Sequence, residues 1–191
     1  MSDVLRAIRE RRSIGKVKDE PIDRPILEQI LEAGNWAPNH HHTEPWRFFV
    51  MTGAGRGVLA DAYFQVACQQ AGDGMFDPDE LRRKQEAKAF RAPVVIAVAV
   101  SPSAVPNIDK REEIAAAHAA VQNMLLAAHE LGLGAVWRTG EPLYHPLMKE
   151  AFGLNGSEEL VALIYIGKPD MEPPEGKRNP VKDKTTWLTG E

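Results

Sequence analysis

"VVIAVAV", residues 94–100, is an unbroken apolar run dominated by β-branched side chains. A strand with one face in water alternates apolar and polar residues. A run without alternation marks a strand covered on both faces. Even extended to "APVVIAVAV" (92–100), it is far too short to span a bilayer as a helix. A doubly covered strand needs helices on each side, so the flanking sequence should carry helical periodicity.

It does. Downstream, Ile114, His118, Val121, Leu125 and Ala128 keep helical spacing within a segment from about Arg111 to Leu131, which Gly132 and Gly134 end. Upstream lies a charged helix, roughly Pro78 to Phe90, and before it a helix carrying Val58, Leu59, Ala62, Tyr63 and Val66. Near the N-terminus, Val4, Leu5 and Ile8 make one face of a helix from Asp3 to about Arg12. Asp23 can cap a second helix with Pro25 in its first turn and Gly34 as its C-terminal cap. Trp46 to Met51, "AVWRTG" (135–140) and "LVALIYIG" (160–167) read as further strands, and a short helix falls around Pro146 to Phe152. Strands interleaved with helices predict an α+β (mixed α/β) fold with helices flanking a central sheet. With no repeats and no linker, residues 1–191 read as one domain, and the proline- and lysine-rich stretch 168–191 as an extended tail lying over a surface.

Composition narrows the function. At 43% hydrophobic residues the chain can bury a sizeable core, and a formal charge of −4 argues against a dedicated nucleic-acid binder. The single cysteine, Cys68, excludes an intramolecular disulfide and a cysteine-based zinc cluster. The opening "MSDVLRAIRERRS" is charged where a signal peptide would be apolar, so a cytoplasmic location is expected.

Four stretches carry candidate chemistry. "GAGRGV" (53–58) follows a strand and opens a helix, but a dinucleotide fingerprint would need glycine where Val58 stands. It would also need an acid ending the next strand, where this chain has a polar stretch around Asp73. A plain strand-to-helix turn is the better reading. "WAPNHHHTEPWRFF" (36–49) suggests a metal, yet adjacent histidines in an extended loop point to opposite sides, so at most His40 and His42 converge. "RERRS" (9–13) groups Arg9, Arg11 and Arg12 with a serine hydroxyl, a set suited to phosphate because each guanidinium matches two oxygens. The same cations would also complement a helix C-terminus. "GLGAVWRTG" (132–140) offers an aromatic wall, a cation, a hydroxyl and backbone donors at one strand end, the parts needed beside a planar, hydrogen-bonding ligand.

The ordered set "RRS" (11–13), "APNHHHTEPWRF" (37–48), "RAP" (91–93), "LGLG" (131–134) and "WRTG" (137–140) resembles the FMN-dependent nitroreductase family, in its small compact bacterial form. That resemblance implies an intertwined homodimer with a mixed sheet between helices, and FMN sites at the subunit interface. By it, Arg11, Arg12 and Ser13 would bind the phosphate, ribityl chain and pyrimidine edge, and Arg178 would add a second phosphate-binding cation. Trp137, Arg138, Thr139 and Gly140 would line the flavin from one side, while Asn39, His40 and His42 reach across from the partner. Arg12 would stabilise charge near the flavin N1 and C2 carbonyl. The implied activity is two-electron, ping-pong hydride transfer from NADH or NADPH through FMN to a nitroaromatic, quinone or other small acceptor, with no catalytic side chain of the protein's own. Family members commonly read "PSxxNxQPW" where this chain has "PNHHHTEPW", which puts Glu44 at the usual glutamine. The rival readings are a non-catalytic flavin-binding or sensor protein on the same fold and a histidine-loop metalloprotein.

Overall fold

The structure is a computed structural model that describes residues 2–72 and 74–190; Met1, Asp73 and Glu191 lie outside it. Its centre is the predicted strand. β2 (Val94–Val100) is buried at every position and pairs antiparallel with β1 (Trp46–Thr52) on one side and β4 (Glu159–Gly167) on the other. β3 (Gly134–Arg138) closes the far edge, so the sheet order is β1-β2-β4-β3. All four strands pair antiparallel. The parallel element of the expected mixed sheet is one isolated bridge between Ser13 and Ala135.

Period-two alternation sorts β2 between two helical layers. Val95, Ala97 and Ala99 join Leu59, Tyr63, Met148, Leu163 and Tyr165 beneath α3 (Gly57–Ala71), α4 (Pro78–Ala89) and α7 (Pro146–Ala151). Val94, Ile96, Val98 and Val100 join Leu27, Ile30, Val121, Met124 and Leu125 of α2 (Arg24–Asn35) and α5 (Lys110–Glu130). Each fully buried Val or Ile contributes about 1.5–3 kcal/mol. In β4 the alternation would fail without a slip: Val98 faces Ala162 and Ala99 faces Leu160, leaving Val161 as a bulge that rejoins the α5 layer. The remaining helices are α1 (Asp3–Glu10) and α6 (Glu141–Tyr144), the latter not foreseen from the sequence. No helix among the described residues is long and apolar enough to cross a membrane.

Gly34 corrects one expectation. It is not the cap of α2 but sits inside it, buried, where an added Cβ would lie 2.8 Å from Met124 Cγ and 3.2 Å from Phe48 Cζ. Its missing side chain lets α2 approach α5. The turn "GAGR" is structural as well: Arg56 is buried, donates to the carbonyls of Ala92 at 2.7 Å and Gly53 at 3.0 Å, and stacks on Phe90. A cation held by backbone carbonyls is not offered to a phosphate, and the strand-to-helix reading stands.

Gly34→Ala will destabilise the protein by up to about 2 kcal/mol in urea unfolding, because overpacking of about 1–3 kcal/mol outweighs the helix-propensity gain of about 1 kcal/mol. In a Met124→Ala background the same change will stabilise. Additive effects in that double-mutant cycle would show that the close approach is unimportant.

Candidate functional site

α1 ends at Glu10, two residues earlier than its periodicity suggests, and Arg11 turns the chain into an extended segment (φ −51°, ψ 133°). That segment runs beside β3. Ser13 bridges Ala135, and the Ile14 N–H donates to the Ala135 carbonyl at 3.0 Å. It then meets the start of the tail: the Lys18 N–H donates to Lys168 O, the Asp170 N–H to Lys16 O, and Lys16 pairs with Asp170 at 2.8 Å. The approach is possible because Gly134 and Gly167 carry no Cβ; one at either position would come within 2.7 Å of Ile14 or Val17.

This seam brings together three of the predicted phosphate ligands. Arg11 is half-buried, and its pKa is held below the ordinary guanidinium value by burial first, then by the charges of Arg12 and Arg178. No carboxylate is hydrogen-bonded to these three side chains among the described residues. Arg12 donates to the carbonyls of Arg9, Arg11 and Pro174, and Arg178 to that of Lys177. Arg11 and Arg12 line a cavity of about 200 Å³ with Glu10 of α1, Leu125 and His129 of α5, Ala135, and Pro169 and Pro173 of the tail; Glu10 makes no ion pair with either arginine. Two cations against one carboxylate leave the cavity lining net positive, which favours an anion. The cavity's volume falls below the 300–1,000 Å³ of whole-cofactor pockets, so it suits one end of a phosphorylated ligand.

Trp137 and Arg138 do not face one way, contrary to expectation. Strand alternation sends Trp137 into the α5 layer, 5.5 Å from the His118 ring, and Arg138 to the opposite layer, over Tyr165 at 5.7 Å. Trp137 Nε1 and Arg138 Nε are both buried without a hydrogen-bond partner. Backbone alternation also matters. The Ala135 carbonyl points out to the seam, so the Trp137 N–H and C=O, two residues on, point to the same edge. Beyond it Thr139 is exposed, and Gly140 takes φ 119°, a conformation that favours glycine.

Arg138 opens onto a second cavity of about 180 Å³, lined also by Lys88, Arg91, Thr139, Tyr63 and Tyr165, and this one has no carboxylate in its lining. The Tyr63 and Tyr165 hydroxyls lie 3.1 Å apart. Burial holds both phenol pKa values above the ordinary one, so both stay protonated, and one hydrogen remains to offer a ligand. Burial, then Lys84 and Arg91, lowers the Lys88 pKa. Sequence reading missed this set because Tyr63 and Tyr165 are 102 residues apart. The available signal was the single hydroxyl-bearing residue in the otherwise aliphatic "LVALIYIG".

The histidine loop is elsewhere. His40–His42 forms a tight 3₁₀ turn, with His41, His42 and Glu44 at φ 57°, 54° and 46°, so the alternation argued for an extended loop does not apply. His40 Nδ1 lies 2.6 Å from Glu112 at the start of α5, and Asn39 Oδ1 accepts from the Glu44 N–H at 3.0 Å. Among the described residues no three His, Cys, Asp or Glu side chains converge as metal ligands. Glu112 and His129 mark the two ends of α5, about 25 Å apart at 1.5 Å per residue. Within one chain, therefore, Asn39, His40 and His42 do not join Arg11, Arg12 and Arg178.

An antiparallel sheet between helical layers, with cations lining two cavities near its β3 edge, defines an α+β protein with clustered positive charge beside an open strand edge. Residues 8–168 match the Nitroreductase family, and the chain belongs to it. It is 33% identical to YfhC of Bacillus subtilis, a proposed NAD(P)H nitroreductase, over 95% of this chain and 92% of that one. A nitroreductase-like protein of Bacillus cereus superposes with a TM-score of 0.83 at 32% identity, covering 100% of this chain and 98% of that one. A Desulfovibrio desulfuricans protein solved in complex with FMN gives 0.76 at 30%, covering 100% and 99%.

Replacing Arg11 by Met, which keeps the aliphatic stem, will raise the thermal midpoint of the ligand-free protein, since a half-buried charge with like-charged neighbours is removed. A lowered midpoint in differential scanning calorimetry would mean that Arg11 has a stabilising partner.

Proposed function

We propose that the protein is an FMN-dependent NAD(P)H oxidoreductase acting on nitroaromatics, quinones or similar small acceptors. The observation that carries this reading is the trio Arg11, Arg12 and Arg178, none ion-paired to a carboxylate among the described residues, beside the open edge of β3. Fit to FMN is supported piece by piece. The first cavity suits a phosphate and ribityl chain. The edge groups of Trp137 offer a donor and an acceptor, the pattern a flavin pyrimidine requires. The orphaned Arg138 Nε and the second cavity supply positive charge at the far end.

When bound, FMN supplies the redox chemistry, taking a hydride from NADH or NADPH and passing two electrons to the acceptor. The chain's own groups bind and polarise. Arg11 and Arg178 hold the phosphate with Ser13 beside them, and Thr139 and Gly140 end the strand against the ring system. Lys88, Arg91 and Arg138 favour negative charge there. That last role was assigned to Arg12 on resemblance, but Arg12 is engaged with backbone carbonyls.

The reading includes a homodimer in which Asn39, His40 and His42 come from the partner. Two features support it: the separation of that loop from the cationic seam, and the apolar stripe Val4, Leu5 and Ile8, each more than half exposed beside a groove lined by Ala33, Leu126 and Ala127. The tail, from 168 on, would wrap the partner with Trp187 and Leu188, which are 83% and 93% exposed in the single chain. We place the protein in the cytoplasm, where reduced nicotinamides are available, and read residues 1–191 as one domain.

Purified protein will show flavin absorbance that NADH or NADPH bleaches anaerobically and a nitroaromatic or quinone restores. A yellow protein that neither nicotinamide reduces would favour the binding or sensor reading instead. Arg11→Ala and Arg178→Ala will each weaken FMN binding by about 1.5–3 kcal/mol, roughly ten- to a hundredfold; unchanged affinity in both sinks the phosphate assignment. Ile8→Glu will yield monomers in sedimentation velocity that have lost flavin.

A further inference from the structure

We infer that Arg12 is the latch of the C-terminal tail, a positioning residue and not a ligand of the phosphate. The inference rests on the reading of Arg11, with the nearby charge of Arg178, as a phosphate site.

Adjacent in sequence, Arg11 and Arg12 are used differently. The Arg11 side chain donates to no protein acceptor among the described residues, whereas three of the five Arg12 N–H groups are engaged. Nη1 donates to Arg9 O at 2.7 Å and Arg11 O at 2.8 Å, carbonyls at the end of α1 that the helix leaves without intrahelical partners. Nε donates to Pro174 O at 3.0 Å, 162 residues along the chain. The tail passes so close that a Cβ at Gly176 would overlap Arg12 Nη2 and Cζ. One guanidinium thus joins the end of the first helix to residues 174–176. The flat fork makes this possible, because its donors leave in fixed, separate directions, which a lysine ammonium cannot reproduce.

The position of the latch explains its effect. Arg178 follows Gly176 by two residues, and its charge reaches Arg11. Fixing residues 174–176 against Arg12 therefore holds Arg178 within charge range of Arg11, while Pro173 and Pro174 limit the freedom of the strap. Arg12 acts on the ligand only through Arg178. Gly176 is required for its lack of a side chain.

Trypsin reads the latch directly, since Lys177 and Arg178 lie just beyond it. In flavin-free protein, Arg12→Ala, Arg12→Lys and Gly176→Ala will each speed cleavage after residues 177 and 178 by about tenfold, followed by intact mass, while Arg11→Ala keeps the wild-type rate. FMN titration will show that Arg12→Lys fails to restore the affinity lost in Arg12→Ala. Cleavage of Arg12→Ala at the wild-type rate overturns the latch. Wild-type affinity in Arg12→Lys overturns it too, by showing that position 12 acts as a charge on the ligand. If Arg11→Ala binds FMN like wild type while the Arg12 variants still free the tail, the phosphate reading fails and the latch stands.

Discussion

The close approach of residues 13–18 to the sheet at Gly134 and Gly167 is the constraint on which the site depends. With a side chain at either glycine, Ile14 and Val17 would be pushed outward. The bridge from Ser13 to Ala135 would open, and the pairing of residues 16–18 with 168–170 would go with it. Both chain ends converge here because β3 is an edge strand. Its outer hydrogen-bonding groups are free to take the N-terminal segment over half their length and leave the rest for a ligand.

That convergence gathers like charges, which folding alone would avoid. Among the described residues Arg11, Arg12 and Arg178 meet without an ion pair, and Lys88, Arg91 and Arg138 do so around the second cavity. Elsewhere the chain pairs its charges readily: Lys168 with Glu20, Arg82 with Asp61, Arg47 with Glu158. In a chain with net negative charge, carboxylates are abundant, so the lack of ion pairs on the clustered cations among the described residues is a feature of those places and not of composition. A repulsive cluster persists where a bound anion relieves it.

Most of the fold was legible, and the reason is local. β2 announces two-sided burial in seven residues, and α5 keeps its period over five turns; neither needs knowledge of a distant partner. What could not be read depends on contacts. Gly34 has the composition of a cap, and only Met124 and Phe48 make it a packing position. The histidine turn could not be foreseen, because an extended loop was the default and left-handed His41 and His42 are rare backbone states. For the site, the "RRS" cluster pointed to phosphate chemistry before any fold was known. The separate uses of Arg11 and Arg12 depend on a tail 162 residues away. Trp137 and Arg138 looked like one wall because they are adjacent, though adjacency in a strand means opposite faces.

α5 carries the final step. Its first turn holds His40 through Glu112, and its last turns wall the cationic cavity through Leu125 and His129. A rigid helix keeps these ends about 25 Å apart, so no loop motion of one chain brings the histidines to the arginines. A two-fold axis crossing α5 near its middle would do so, by running a second copy antiparallel and setting its first turn beside the last turn of this one. The helix is suited to such a contact, since Ala115, Ala119, Leu126 and Ala127 keep some exposure along it, the last two lining the groove beside exposed Val4. On that argument the separation seen in one chain is what an active site shared between two chains requires.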